Sequence, residues 1–526
     1  MSNPIVAGKH ILDILTTGMY KDPKIIFREY IQNSTDAIDK AIQKGLLQDW
    51  DDGKVQITLN TKKSQIIIKD NGIGVSKSIV RHSLCDIGQS EKDYTKDRGF
   101  RGIGRLGGLG YSSKLRFVTS FYGENSKSIV EWDCMKLKDL ITPGKYMEYD
   151  LLGVVQEVTS IKSEKEEYGA HYFIAELSGI DNQFSELLNE KIINDYLSQV
   201  APVPFHGQKF VFYHDCEIGI KNFLNEIGKP LEEYNIYLNS NPNPIFKPYK
   251  NYFKAGRGES EKQDNISNIK YFKEYDQKGH MLFWGWYAIT NFSGYIKDPL
   301  IAGIRLRKRN ILIGDNKFLE DLFTQARFNL WFIGEIHVYD DNLIPNARRD
   351  DFEKNSQYES LIRKLETYTK MLSKLPPTYS IYNANSNNIV KREKELEAIQ
   401  EKINSGIASE VERSNLHNKR DVIHNDIKKS KKALSTVKNK IDAKVDQNIE
   451  RLLEKVEELE EKTKVIENGI IDAEYNIIKD KALSGYSKSE KKIVIRVFDI
   501  IDSELDSEIA KKLESKIIDG LKNKRN

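Results

Sequence analysis

Apolar positions along the first 195 residues recur with two different periods, and the two alternate. Runs rich in β-branched and aromatic residues, KVQITLN (54–60), QIIIKD (65–70), KLRFVTSF (114–121) and HYFIAEL (171–177), predict strands. Between them the spacing is helical. In REYIQNSTDAIDKA (28–41) and its flanks, Phe27, Ile31, Ile38 and Ile42 share one face, which suits a core. The alternation reads as a mixed α/β domain over residues 1–195. VAPVPF (200–205), with two prolines among apolar neighbours, reads as a junction. A second mixed domain follows to residue 385, with an aromatic strand HMLFWGWYAI (280–289), a basic strand GIRLRKRNILIGD (303–315) and a helical run YESLIRKLETYTKMLSKL (358–375). Within it the polar insert KAGRGESEKQDNISN (254–268) reads as a loop or a hairpin tip.

Beyond PPTYSIYNANSNN (376–388) the pattern changes to Lys/Glu-rich sequence without proline up to the terminus. Leu434, Val437 and Ile441, then Leu452, Val456, Leu459, Ile466 and Ile470, recur at helical and heptad-like intervals, with a stutter near Val445 and Ile449. This predicts a coiled-coil or helical-hairpin arm over 386–480, with NSGIAS (404–409) as a candidate turn. An antiparallel hairpin within the chain and a coiled coil between chains fit equally well. Residues 481–526 read as a final helical pair. No internal repeat is evident.

The polar face of the 28–41 helix changes the picture. At about 100° per residue, Glu29, Asn33, Asp36 and Lys40 fall in one narrow stripe. One reading is a solvated stripe with a helical Asp36–Lys40 ion pair. The other is a ligand face offering a carboxylate base, an amide oxygen and a second carboxylate. Two further stretches bear on the choice. IIIKDNGIGV (66–75) delivers Asp70 at a strand end, with Gly72 and Gly74 behind it, and glycines there permit close approach of a flat ligand. RGFRGIGRLGGLGYSSK (98–114) offers many unhindered backbone N–H groups, a phosphate-cradling composition, although it has no GxxxxGK[ST] spacing.

Composition sets outer bounds. Of 526 residues, 39% are hydrophobic, enough for sizeable cores, while 81 basic and 78 acidic side chains leave a net charge of only +3. Such a balance argues against a dedicated nucleic-acid coat, although a local basic patch stays open. The three cysteines, Cys85, Cys134 and Cys216, are far apart and have no metal-ligand spacing, which fits a reduced cytoplasmic compartment. The N-terminal stretch lacks the charge and apolar pattern of a secretion signal, and no apolar run reaches membrane-spanning length.

Taken together, EYIQNSTDAIDK, DNGIG and GFRGIG resemble the three motifs of the GHKL (Bergerat-fold) ATPases, the superfamily of the heat-shock protein 90 chaperones, DNA gyrase B, MutL and the Microrchidia ATPases. The resemblance is closest on the heat-shock protein 90 and Microrchidia side. It implies an α+β architecture: an N-terminal α/β-sandwich ATPase domain (1–195), a mixed α/β transducer domain (196–385), and the helical arm and end. By motif, Glu29 would polarise the attacking water and Asn33 would hold Mg²⁺. Asp70 would read the adenine amino group, with Asp36, Ala37, Lys40, Gly72 and Gly74 around the nucleotide. The segment Gly99, Arg101, Gly102 and Gly104 would wrap the phosphates. DIGQS resembles the chaperone segment whose serine approaches them, which nominates Ser90. VYDDNLIPNARRDDFE resembles the transducer loop that sends a cation to the γ-phosphate. Asn346, Arg349 and Asp350 match its pattern, so Arg349 is the expected residue, with Arg348 its close competitor. The superfamily's late-strand Gly-Thr is here Gly169-Ala170, which weakens that side of the adenine shell.

The resemblance further implies ATP and Mg²⁺ as cofactors, slow hydrolysis, and a homodimer closed by ATP that remodels a protein client. Alternatives are a Microrchidia-type DNA-linked clamp, with a role in bacterial anti-phage defence, and a nucleotide-gated scaffold with negligible hydrolysis. The basic strand Arg305, Arg307, Lys308 and Arg309 has two readings, a patch for a phosphate backbone or, slightly favoured, a solvated edge that discourages strand aggregation.

Overall fold

A computed structural model describes residues 8–14, 22–88, 98, 102–213, 219–256, 261–404, 410–440, 454, 456–458, 483 and 486–523. Within these, the chain forms two compact units, Met1–Pro376 and Pro377–Asn526. The first is mixed α/β and the second is helical.

Strand and helix periods in the sequence translate directly into the first sheet. Helix α1 (Ile25–Gln43) is followed by β1 (Lys54–Asn60), β2 (Gln65–Asp70), β3 (Lys114–Ser120), β4 (Ser126–Asp133), β5 (Thr159–Lys165) and β6 (Tyr172–Ser178). After helix α2 (Glu190–Val200) the chain returns as β7 (Asn235–Leu238). The spatial order is β5-β4-β3-β6-β2-β1-β7. All pairs are antiparallel except β1 with β7, which is parallel. In β2 the alternation places Ile66, Ile68 and Asp70 on the buried face. That face meets α1: Phe27, Ile31 and Ile38 share a core with Ile57, Ile66, Leu115, Phe117 and Trp132.

After β7 come a hairpin, β8 (Tyr252–Ala255) with β9 (Lys262–Asn265), then β10 (Asn268–Tyr275), β11 (Met281–Ile289), β12 (Gly303–Lys308), β13 (Ile311–Ile313) and β14 (Ile333–Val338). The polar insert at 254–268 thus belongs to a hairpin whose strands are β8 and β9. β10 to β14 form a second sheet in the order β10-β11-β14-β12-β13, and helix α3 (Ser356–Leu372) follows it.

The basic strand departs from both readings of its sequence. β12 is an interior strand, and Arg305 and Arg307 are fully buried. Arg305 donates to the carbonyls of Pro299, Leu300, Ile301, Ala302 and Gly303 and to Gln199 Oε1. Arg307 pairs with Glu335 (2.6 Å), which Lys247 (2.7 Å), Tyr249 and His337 also contact. A guanidinium enclosed by acceptors satisfies the requirement that buried charge be paired and hydrogen-bonded. Charge composition alone carries no information about which way a strand side chain points.

In the second unit, α4 (Leu375–Asn404) and α5 (Glu410–Lys440) pair antiparallel. Ile399 packs with Ile423 and Ile427, Ile389 with Leu434, and Arg392 Nη2 lies 2.6 Å from Asp426 Oδ2. This antiparallel packing is the arrangement that the hairpin reading of the arm describes. Val456 is buried against Ile389 and Leu434, and Val437 is buried too. Ile441, Val445, Ile449, Leu452, Leu459, Ile466, Ile470 and all but Asn404 of the candidate turn at 404–409 lie outside the described residues. The expected terminal pair is α6 (Lys488–Glu504) with α7 (Ser507–Asn523), joined through Phe498 and Ile518. A capping box, Ser487 with Glu490, starts α6.

Candidate nucleotide site

The polar stripe of α1 faces a cavity of about 380 Å³. Glu29, Asn33, Asp36, Ala37 and Lys40 line it from the helix. Asp70 enters from the end of β2, Gly74 from the turn behind, Gly102 and Gly104 from the glycine-rich run, and Arg349 from the loop after β14. Ile73, Val75, Ile79, Leu84, Phe121 and Phe173 give it an apolar wall suited to a flat base. Residues separated by more than 300 positions in sequence therefore share one pocket.

The turn between β2 and this wall is shaped by close approach. Gly74 has φ +73°, and a Cβ there would sit 2.0 Å from the Ser120 carbonyl oxygen. Ile73 N–H donates to the Ala37 carbonyl at 3.0 Å, pinning the turn to α1. Gly72 does not line the cavity; it packs behind it against Ala37. Asp70 is 2% exposed, and its Oδ1 accepts the Gly72 N–H at 2.9 Å.

At the opposite end, Glu29 is 7% exposed, and its Oε1 is buried without a hydrogen-bond partner. Arg349 Nε lies 3.5 Å from the same Oε1. Gly104 backs the same carboxylate so closely that a Cβ would meet Glu29 Oε2 at 2.0 Å. Arg349 is buried with a left-handed φ of 55°, and its Nη2 donates to the Arg98 carbonyl. Arg348 points elsewhere: its side chain is 54% exposed and pairs with Asp350. Of the two competing arginines, only Arg349 enters the cavity.

Asp36 accepts from the Arg98 backbone N–H (2.9 Å) and from its guanidinium (3.3 Å). Ser90, Gly99 and Arg101 lie outside the described residues. The late strand also differs from its sequence reading. Ala170 precedes β6, and its carbonyl accepts from Ser120 Oγ. In register, Phe173 stands opposite Asp70, and His171 lies within 3.0 Å of the Gly72 carbonyl through Nδ1. The His171 imidazole and the Thr119 hydroxyl, which accepts the Val75 N–H at 2.8 Å, are thus both polar groups at that corner. Arg105 also lines the cavity, and no motif in the sequence singles out His171, Phe121, Phe173, Arg98 or Arg105. The alternation in HYFIAEL, which puts His171 and Phe173 on the same face, was the available signal.

Residues 22–164 match the family described as "Histidine kinase-, DNA gyrase B-, and HSP90-like ATPase". The chain is similar to the chaperone protein HtpG of Ruthia magnifica subsp. Calyptogena magnifica, 31% identical over 205 residues, which are 35% of this chain and 32% of that one. It is also similar to HtpG of Buchnera aphidicola subsp. Acyrthosiphon pisum (30% over 183 residues; 30% and 28% of the two chains). HtpG of Clostridium botulinum strain Langeland matches at 26% over 228 residues (40% and 35%). The N-terminal region is a GHKL-type domain of the heat-shock protein 90-like branch. The match spans about a third of the length of these curated relatives.

The boundaries of the GHKL match carry a structural point. It ends at residue 164, ahead of β6 and β7, yet both strands belong to the same sheet. Arg349 lies farther still from the matched stretch, and only folding brings it to the GHKL pocket. Among the described residues no helix is long and apolar enough to cross a membrane. Cys85 and Cys134 are buried free thiols, and burial pushes the Cys134 thiol up to about 11, which makes it a poor nucleophile.

Proposed function

We propose that this chain binds Mg·ATP in the α1–β2 cavity and hydrolyses it slowly, using the energy to remodel a protein partner as a homodimer. The observation that carries this reading is the convergence of Glu29, Asn33, Asp70, Gly104 and Arg349 on one cavity of about 380 Å³. The residues present fit a magnesium–phosphate group. Glu29 presents a buried oxygen that accepts no hydrogen bond and faces Arg349 Nε at 3.5 Å, Gly104 leaves an opening that a side chain would fill, and Asn33 offers an amide oxygen. Mg²⁺ takes one or two protein oxygens and completes its shell with water and substrate phosphates, so a single amide ligand suits it. The bound ion would neutralise charge on the transferring phosphoryl group.

The roles of the chain's own groups follow from their places. Asp70 accepts a hydrogen bond from the adenine amino group at the floor of the apolar wall. The backbone at Gly102 and Gly104 donates to phosphate oxygens. Arg349 compensates charge that develops on the γ-phosphoryl oxygens, and Glu29 orients the attacking water and takes its proton as the P–O bond to ADP breaks. In the structure Glu29 and Arg349 face each other; a γ-phosphate would draw the guanidinium toward itself and release the carboxylate for water.

A chaperone-like output is supported by the HtpG relatives. The DNA-linked reading has lost its local support, because the basic residues Arg305 and Arg307 are interior. Glu29→Ala should bind Mg·ATP within about threefold of wild type and turn over at least tenfold more slowly, a modest demand against general-base contributions of roughly 10²–10⁴-fold. Asn33→Ala should lose Mg·ATP binding itself. Calorimetry with single-turnover hydrolysis separates the two, and unchanged turnover in Glu29→Ala would falsify the mechanism.

A further inference from the structure

Arg98 sits at the entrance to the glycine-rich run and is only 4% exposed. Its Nη1 donates to Asp36 Oδ1 (3.3 Å) and Asp39 Oδ2 (2.7 Å), both on α1. Its Nη2 donates to Glu232 and to Tyr234 OH (2.8 Å), which lie just ahead of β7. Tyr234 OH in turn donates to Asp39 Oδ1 at 2.5 Å, closing a ring around the guanidinium. The carbonyl of the same residue accepts from Arg349 Nη2. Three segments distant in sequence thus meet on one arginine, and three carboxylates surround its single positive charge.

From this arrangement we infer that Arg98 is a positioning residue for hydrolysis: its clamped side chain fixes its carbonyl, and that carbonyl sets where Arg349 lies beside Glu29. The inference rests on the nucleotide reading above. Its physical basis is the geometry of the fork. A planar guanidinium meeting Asp36, Asp39, Glu232 and Tyr234 has little freedom to rotate, so the attached backbone is held as well. Arg349 sits on a loop with a left-handed backbone, and its guanidinium meets both the Arg98 carbonyl and the Glu29 carboxylate. Burial alone would weaken the charge on Arg98, but Tyr234, Glu232, Asp39 and Asp36 together outweigh burial and hold it well above the ordinary arginine range. Without Arg98 those three carboxylates would repel one another directly beneath the site.

The test compares Arg98→Gln, Arg98→Lys and Tyr234→Phe with wild type in the full chain. Expected is a fall in single-turnover rate of roughly 10–100-fold in Arg98→Gln with the dissociation constant for Mg·ATP changed less than about threefold, the size that small misplacement of a catalytic group produces. Arg98→Lys should recover part of the rate, and Tyr234→Phe should lose about two- to fivefold, because one of the four partners of the fork is removed. The second readout needs no hydrolysis. In nucleotide-free Arg98→Gln, hydrogen exchange across residues 343–352 should rise about fivefold or more while β12 and β14 stay as in wild type. Wild-type exchange in that loop, or a changed loop with an unchanged rate, overturns the inference. So does faster exchange throughout residues 25–376, which would make Arg98 a fold-holding residue only. Wild type without turnover would instead sink the ATPase reading, and the exchange result would still decide for or against Arg98.

Discussion

Asp70 and Phe173 stand opposite each other across the β2–β6 pair, so the proposed adenine edge and the apolar wall are set by one register. Asp70 accepts the Gly72 N–H through Oδ1, and the adenine-reading role proposed for its carboxylate has a direct test. Asp70→Asn keeps an acceptor for Gly72 but turns a donor toward the ligand's own amino group. Two opposed donors in a buried pocket cost on the order of 1–3 kcal/mol, or about 5–150-fold in affinity. Calorimetry should show this loss with an unchanged circular dichroism spectrum; wild-type affinity would remove Asp70 from the adenine edge. At this scale the sequence was informative wherever short-range spacing carries the chemistry. Glu29, Asn33, Asp36 and Lys40 share a stripe because helices have a fixed period, and no tertiary knowledge is needed to see it. Arg98 was invisible for the opposite reason. Its meaning depends on Glu232 and Tyr234, more than 130 residues away, and on a carbonyl that no side-chain motif encodes.

Among elements, strands were legible where apolar and polar positions alternate, as in KVQITLN and QIIIKD, whose observed bounds coincide with those runs. β12 was legible as a strand but not for its position in the sheet. Three basic residues in its six positions look solvent-facing, yet Glu335 on the neighbouring β14 supplies the counter-charge. Pairing of that kind is a property of two strands, not of one. It also makes a prediction. Glu335→Leu removes the acceptor that Lys247, Arg307, Tyr249 and His337 share and leaves two buried cations facing each other, at a cost of about 3–5 kcal/mol. Chemical denaturation should show the lower midpoint, with the α4–α5 hairpin's helicity retained if the loss is confined to the first unit. A midpoint within error of wild type would mean that the ion cluster is compensated elsewhere. The hairpin itself was half legible: apolar spacing predicted helices, whereas the choice of partner depended on Ile399 meeting Ile423 and Ile427.

For the whole molecule, the proposed ATP-closed dimer has a direct check. Light scattering with a non-hydrolysable ATP analogue and Mg²⁺ should show roughly double the mass found without nucleotide, and Glu29→Ala should reach the same state with ATP itself, since binding rather than turnover drives closure. A constant monomer mass in both conditions would separate nucleotide binding from dimerisation. The fourfold division at 195, 385 and 480 remains a proposal about function more than about folding, because β7 comes from beyond the first of those boundaries and completes the first sheet. That parallel strand has a consequence for how the protein is made. While a ribosome is still translating, β1 has an open edge until residues 235–238 emerge, some 175 positions after β1 itself. At about 5–20 residues per second that delay is roughly 9–35 s. During it the nascent chain exposes an unpaired edge of the kind that invites association with other strands. The interval in which a newborn copy of this chain would most need a partner's protection is thus written into the order of its strands.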